Sequence, residues 1–198
     1  MPGAALIGND VVDSSDSTTA AAHLRERFVA RVCGPAERDR VAAAADPAAL
    51  LWSLFAVKEA AFKVVSKLRP GIAFAHRRFE VSEDLRTVRY DDVVLRASVL
   101  NHGDYIHAVV LLGEADCIHA VREVNPGADS SAAARALLAA SLAEELGCAP
   151  GDIAVQRTPL PGSWTGFAPP ELMIRGAPAG RDISLSHDGR FVAFAAIQ

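Results

Sequence analysis

No apolar run among the 198 residues approaches the roughly 18 needed to cross a bilayer. The first residues, MPGAALIGNDVVD, also lack the basic stretch and apolar core of a secretion signal, so a cytoplasmic location is the expectation. Cysteines are few. Cys33, Cys117 and Cys148 lie far apart without CxxC spacing, which argues against a disulfide framework or a zinc site and leaves them as small core residues. Blocks of Lys or Arg are missing, and the net charge is -4, so nucleic acid and membrane surfaces are not expected partners. Any phosphate is bound locally. Neither a Walker loop, a GxGxxG turn nor a GxSxG elbow occurs, which removes the commonest nucleotide loops and the usual hydrolase nucleophile.

Apolar content is ample. At 51% hydrophobic, the chain can build one ordinary domain or two small halves sharing a core. Residues 4–8 (AALIG) read as a buried strand ending in an acidic turn, GNDVVD. The SSDST stretch offers caps for a helix over about 20–32, Pro35 opens a second, and Asp46 with Pro47 starts a third that runs to about 67. After RPG at 69–71 the hydrophobic period becomes two: FAHRRFEV, TVRYDDVVLRASVL and DYIHAVVLL read as three strands of a meander, and CIHAVREV as a fourth. Residues 131–146 form an Ala- and Leu-rich helix stopped by Gly147. DIAVQRT, ELMIRG, RDISLS and RFVAFAAI read as further strands around the irregular loop PLPGSWTGFAPP. NHGDYIHAVVLL at 101–112 resembles SHDGRFVAFAAI at 186–197, each a His-containing turn, an aromatic and a terminal apolar strand, which suggests two similar halves, 1–115 and 116–198.

Three stretches carry chemistry. Asp10 and Asp13 follow an apolar strand, where oxygen ligands for a hard cation are common and where caps and Asx turns are equally so. Glu59 and Lys63 share one helix face with Trp52, Phe55 and Ser66, beside Ala56, Ala60, Phe62 and Val64. A carboxylate on so apolar a face needs a partner, and Mg²⁺ would supply one, with Lys63 a turn further on suited to phosphate oxygens. In RDISLSHDGR, Ser184 and Ser186 alternate with Ile183 and Leu185, and His187 opens a turn; hydroxyls, an imidazole, Arg181 and Arg190 can gather a phosphate, although Ser and His at a hairpin are ordinary.

Taken together, GNDVVD, FAVKEAAFK and SLSH resemble the motif set of the 4'-phosphopantetheinyl transferase superfamily, a GxD strand end, a (W/F)xxKExxxK helix and an SxSH segment. The resemblance implies transfer of the phosphopantetheine arm of coenzyme A to a serine of an apo acyl or peptidyl carrier protein. Asp10 and Glu59 would then hold Mg²⁺ against the pyrophosphate, with Asp13 a further candidate ligand; Glu59 would take the serine proton; Lys63 would steady the pyrophosphate; Ser186 and His187, with Arg181 and Arg190, would bind coenzyme A phosphates. Arg25, Arg27, Arg31, Arg38 and Arg40 are candidates to meet an acidic carrier helix. Two departures stand out: Val12 occupies the second-acid position of the surfactin-type enzymes, and Ala168 stands where their GKP lysine belongs. The motif order is that of the holo-acyl carrier protein synthases, whereas the length suits two halves. The expected architecture is therefore an α+β, monomeric pseudo-dimer, its halves exchanged in order relative to the surfactin type, in preference to a homotrimer. A Mg²⁺-dependent phosphohydrolase of coenzyme A or nucleotide pyrophosphates, and a non-catalytic coenzyme A or carrier-binding module, are the alternatives.

Overall fold

Strand β1 runs Leu6–Asp13, so GNDVVD, expected as a turn, is the second part of a strand. The computed structural model describes residues 5–15, 19, 21, 25–162 and 166–198. Ile7, Val11 and Val12 are buried, and β1 pairs along its whole length with β5, which keeps the backbone extended past Asp10. Three helices follow, α1 (Glu26–Val32), α2 (Pro35–Ala43) and α3 (Pro47–Leu68). The helix expected from about 20 is described only from Glu26; residues 16–18, 20 and 22–24, with several of the expected caps, lie outside the described residues. α3 starts where the cap chemistry places it, with Asp46 Oδ1 accepting from the Ala49 N–H at 2.9 Å and Pro47 in the first turn.

Next come β2 (Glu80–Val81), β3 (Thr87–Tyr90), β4 (Val93–Asn101), β5 (Tyr105–Leu112), β6 (Cys117–Glu123), α4 (Ser130–Leu146), β7 (Ile153–Gln156), β8 (Glu171–Ile174), β9 (Ala177–Asp188) and β10 (Phe191–Ile197). Two expected strands differ. In FAHRRFEV only Glu80–Val81 is a strand, because His76–Arg78 is wound into a 3-10 turn by hydrogen bonds from Arg78 N to Ala75 O and from Phe79 N to His76 O. TVRYDDVVLRASVL is a hairpin, β3 and β4, with Asp91 in the left-handed region at φ 52°.

Both sheets are antiparallel and have the same order, β1-β5-β4-β3-β2 and β6-β10-β9-β8-β7. Each half is thus a strand, a helical crossover and a four-strand meander, and the fold is the expected α+β arrangement of two similar halves. Asp13 pairs with Tyr105 as Glu123 pairs with Phe191, so these positions correspond, and the Tyr105 and Phe191 rings touch with centroids 4.9 Å apart. The shared histidine does not correspond: His102 bonds Tyr105 as Asp188 pairs with Phe191, so the match of His102 to His187 is one residue out of register.

α3 covers the inner face of the first sheet and α4 that of the second, each with its own core. The halves meet along a seam of Ile7, Val109, Ala195 and Ile197, and of Val11, Phe191 and Ala193. Here the outer edge of β1 is closed by side chains instead of a strand. The N–H groups of Ile7, Asn9 and Asp13 donate to Asp182 Oδ2 (2.7 Å), Ser184 Oγ (2.9 Å) and Asp188 Oδ2 (2.9 Å), all from β9. Lys67 reinforces the seam from α3, its ammonium donating to the Ile7 and Ile183 carbonyls and to both oxygens of Asp182.

Candidate functional site

A glycine lets the helix meet the strand. A Cβ on Gly8 would lie 2.1 Å from the Ala60 carbonyl oxygen, so only glycine permits α3 to rest directly on β1. On α3, Trp52, Phe55, Glu59, Lys63 and Ser66 form the half-buried stripe, while Ala56, Ala60, Phe62 and Val64 are buried. That stripe passes beside Asp10: Lys63 Nζ donates to Asp10 Oδ1 at 3.0 Å and to the Asn9 carbonyl at 2.7 Å.

Asp10 is held in an unusual state. Burial pushes its carboxyl up to about 6; Lys63 opposes the rise, and the charges of Glu59 and then Asp188 add to it. Two acids from the first half and one from the second therefore act on one location, with one lysine among them. The donors are hard oxygens, and the lysine leaves Asp10 under-compensated, so the set suits a divalent cation such as Mg²⁺. Among the described residues no group of three or more His, Cys, Asp or Glu could hold a metal ion alone, so any cation there would draw further ligands from substrate or water.

Lys58, the first lysine of the KExxxK segment, plays a different part from Lys63. It is fully buried, donating to the Val32 carbonyl (2.9 Å) and pairing with Glu37, whose carboxylate also accepts from Gly34 N and Val81 N. This network anchors α2 and β2 to α3. Glu59, the neighbouring residue, faces His76, with Nε2 and Oε1 3.4 Å apart. Beside this pair opens a groove of about 590 Å³ lined by Phe55, Phe74, Arg31 and Arg77 among others.

Asp10 and Lys63 are thus in contact, with Glu59 near enough for its charge to act on Asp10, and four other expected site residues are engaged elsewhere. Asp13, expected as a further metal ligand, has both oxygens engaged by protein donors: Arg190 Nε donates to Oδ2 at 3.0 Å and Ser15 Oγ to Oδ1 at 2.6 Å. Burial would raise its pKa, but the bonds from Arg190 and Ser15 prevail and hold it well below the usual carboxylate range. Arg190 is accordingly committed to Asp13, Glu123 and Ser15, away from the expected phosphate role. Arg181 pairs with Glu145 of α4 at 3.0 Å. Ser186 alternates with Leu185 as expected, yet its buried hydroxyl accepts from Asn9 Nδ2 at 2.8 Å, a contact across the seam. His187 is exposed at the end of β9. Of the arginines expected to meet a carrier, Arg25, Arg27, Arg31 and Arg38 are exposed, while Arg40 is spent on the Val81 and Glu83 carbonyls.

Sequence reasoning missed Asn9, His76, Lys67 with Asp182, and Asp188. Asn9 is fully buried and links three strands through Ser184, Ser186 and His107. Burial first, then the charges of His119 and Lys63, push His107 down to about 3, so it stays neutral in the seam. A polar residue beside the Gly of GND was the available signal for Asn9; nothing local marked His76.

An acid pair crossed by a lysine, at the seam of a two-half α+β fold, is chemistry suited to a polyanionic group. Residues 6–110, more than half of the chain, match the family model of the 4'-phosphopantetheinyl transferase superfamily, and the chain belongs to that superfamily. The match contains Gly8, Asp10, Lys58, Glu59 and Lys63. Among solved structures, the crystal structure of Thermotoga maritima holo-[acyl-carrier-protein] synthase is similar, at 16% identity and a TM-score of 0.41, covering 87% of this chain and 84% of that one. Among curated protein sequences nothing matches. No helix among the described residues is long and apolar enough to cross a membrane.

Proposed function

We propose that this protein transfers the 4'-phosphopantetheine arm of coenzyme A to a serine of an apo carrier protein and releases adenosine 3',5'-bisphosphate. The observation that carries the reading is the contact of Lys63 with Asp10, under the charge of Glu59, within the stretch that matches the superfamily. Mg²⁺, held by Asp10 and Glu59, would neutralise the pyrophosphate while its bridging bond breaks and adenosine 3',5'-bisphosphate leaves. Lys63, 30% exposed and bound to Asp10, would donate to the pyrophosphate oxygens. Glu59, directly or through a water, takes the proton of the carrier serine as its oxygen attacks the β-phosphorus of coenzyme A. The attacking hydroxyl belongs to the partner, which fits the lack of an internal nucleophile. Exposed His187 is the member of the SxSH segment suited to a coenzyme A phosphate, and Arg25, Arg27 and Arg31 suit an acidic carrier helix.

The test is the intact mass of an apo carrier protein incubated with this chain, coenzyme A and Mg²⁺. A gain of one phosphopantetheine is expected. Consumption of coenzyme A without carrier would favour a phosphohydrolase instead, and binding of coenzyme A with no change in either molecule would favour a non-catalytic module.

A further inference from the structure

We propose that His76 is a positioning residue for Glu59; the inference rests on the transferase reading, in which that carboxylate serves the metal and the serine proton. His76 Nε2 lies 3.4 Å from Glu59 Oε1, and the two side chains are only 12% and 24% exposed. Nε2 is buried with no completed hydrogen bond. A buried N–H left without an acceptor is costly, and the Glu59 carboxylate is the acceptor facing it. The contact falls short of a hydrogen bond, as catalytic contacts commonly do until substrate closes the site.

The aim of the imidazole is set by packing. Phe55 and Phe74 hold the ring, with centroids 5.1 and 4.2 Å away; Phe55 rests in turn on Trp52 at 5.1 Å and Phe74 stacks on Phe62 at 4.5 Å. Its backbone is fixed by the 3-10 turn through Phe79 N to His76 O. Glu59 sits on a helix with freely turning side-chain torsions, so a fixed donor on Oε1 selects one rotamer and leaves Oε2 to the cation and the proton. The aromatic stripe beside the acid therefore has a purpose beyond filling the core: it holds a donor on target.

Two full-length variants test this. His76→Phe keeps a ring between Phe55 and Phe74 and removes the N–H, whereas His76→Gln restores an N–H at similar reach. In the transfer assay His76→Phe should lower kcat about 10- to 100-fold with KM for coenzyme A within about twofold, and His76→Gln should recover most of it. Mn²⁺, titrated calorimetrically in the presence of coenzyme A, should bind about tenfold more weakly to His76→Phe than to wild type. Unchanged kcat and Mn²⁺ affinity in His76→Phe would overturn the proposal, and so would equal losses in both variants, since the ring would then only fill space. Imidazole ¹⁵N resonances of the wild-type chain decide independently of turnover and of how either variant folds. His76 should be in the Nε2–H form and shift in Glu59→Ala; an unmoved resonance overturns the contact even if transfer proceeds. A wild-type chain that transfers nothing removes the transferase reading, and the ¹⁵N result still judges His76.

Discussion

The two halves share a strand order and differ in how the helix meets its first strand. In register, Gly8 of β1 corresponds to Ile118 of β6, because Gly8 pairs with Val110 as Ile118 pairs with Ala196, each five residues beyond the matched aromatic. At Gly8 the backbone of α3 comes into contact with the strand, so α3 lies over β1 and β5; α4 lies chiefly over β10 and β9. The consequence is chemical. Asp10 has Glu59 and Lys63 above it, whereas its counterpart Ala120, opposite Phe194, has no carboxylate, and α4 has no Glu-x-x-x-Lys spacing. One half holds the two acids and the lysine, and the other closes the outer edge of β1 with Asp182, Ser184 and Asp188.

The largest way to break the asymmetry is Glu59→Gln, which should lower kcat for carrier modification by about 10³-fold, while Glu145→Gln on α4 leaves it within about twofold; comparable losses would spread the site over both halves. Gly8→Ala should next destabilise the fold by about 3 kcal/mol in urea titrations, since the added carbon meets backbone and α3 must lift. Ile118→Ala at the corresponding place should instead behave as an ordinary large-to-small change. Asp10→Asn has the opposite sign. The folded carboxyl titrates near 6 against an ordinary 3.8, so the folded state holds the extra proton between those values and stability falls as pH rises through them. The variant should therefore gain up to about 3 kcal/mol at neutral pH, fading below about pH 4; a gain that persists in acid would remove the burial explanation. The smallest effect concerns the partner: Arg27→Glu should raise KM for the carrier about tenfold with KM for coenzyme A unchanged, and equal shifts in both would detach α1 from carrier contact.

Much of this was readable along the chain. The start of α3 followed from Asp46 and Pro47, the end of α4 from Gly147, and the alternation of Ser184 and Ser186 with Ile183 and Leu185 from period two. The twofold plan was visible in the aromatic turns, although the histidine that seemed to support it was out of register. Asp13 shows the limit: spacing made it resemble Asp10, and Arg190, 177 residues away in sequence, took its charge. His76 was hidden in an alternating pattern that its turn does not follow.

The sequence by itself determined most of the elements, the superfamily motifs and the face of α3 that carries Glu59 and Lys63, because caps, turns and hydrophobic periods act between near neighbours. Only the tertiary structure decided which polar side chains meet. Asp10 under Lys63, Asp13 on Arg190, Ser186 on Asn9 and His76 against Glu59 all join residues distant in the chain. A charge or a hydrogen bond takes its value from the partner and the burial that folding gives it.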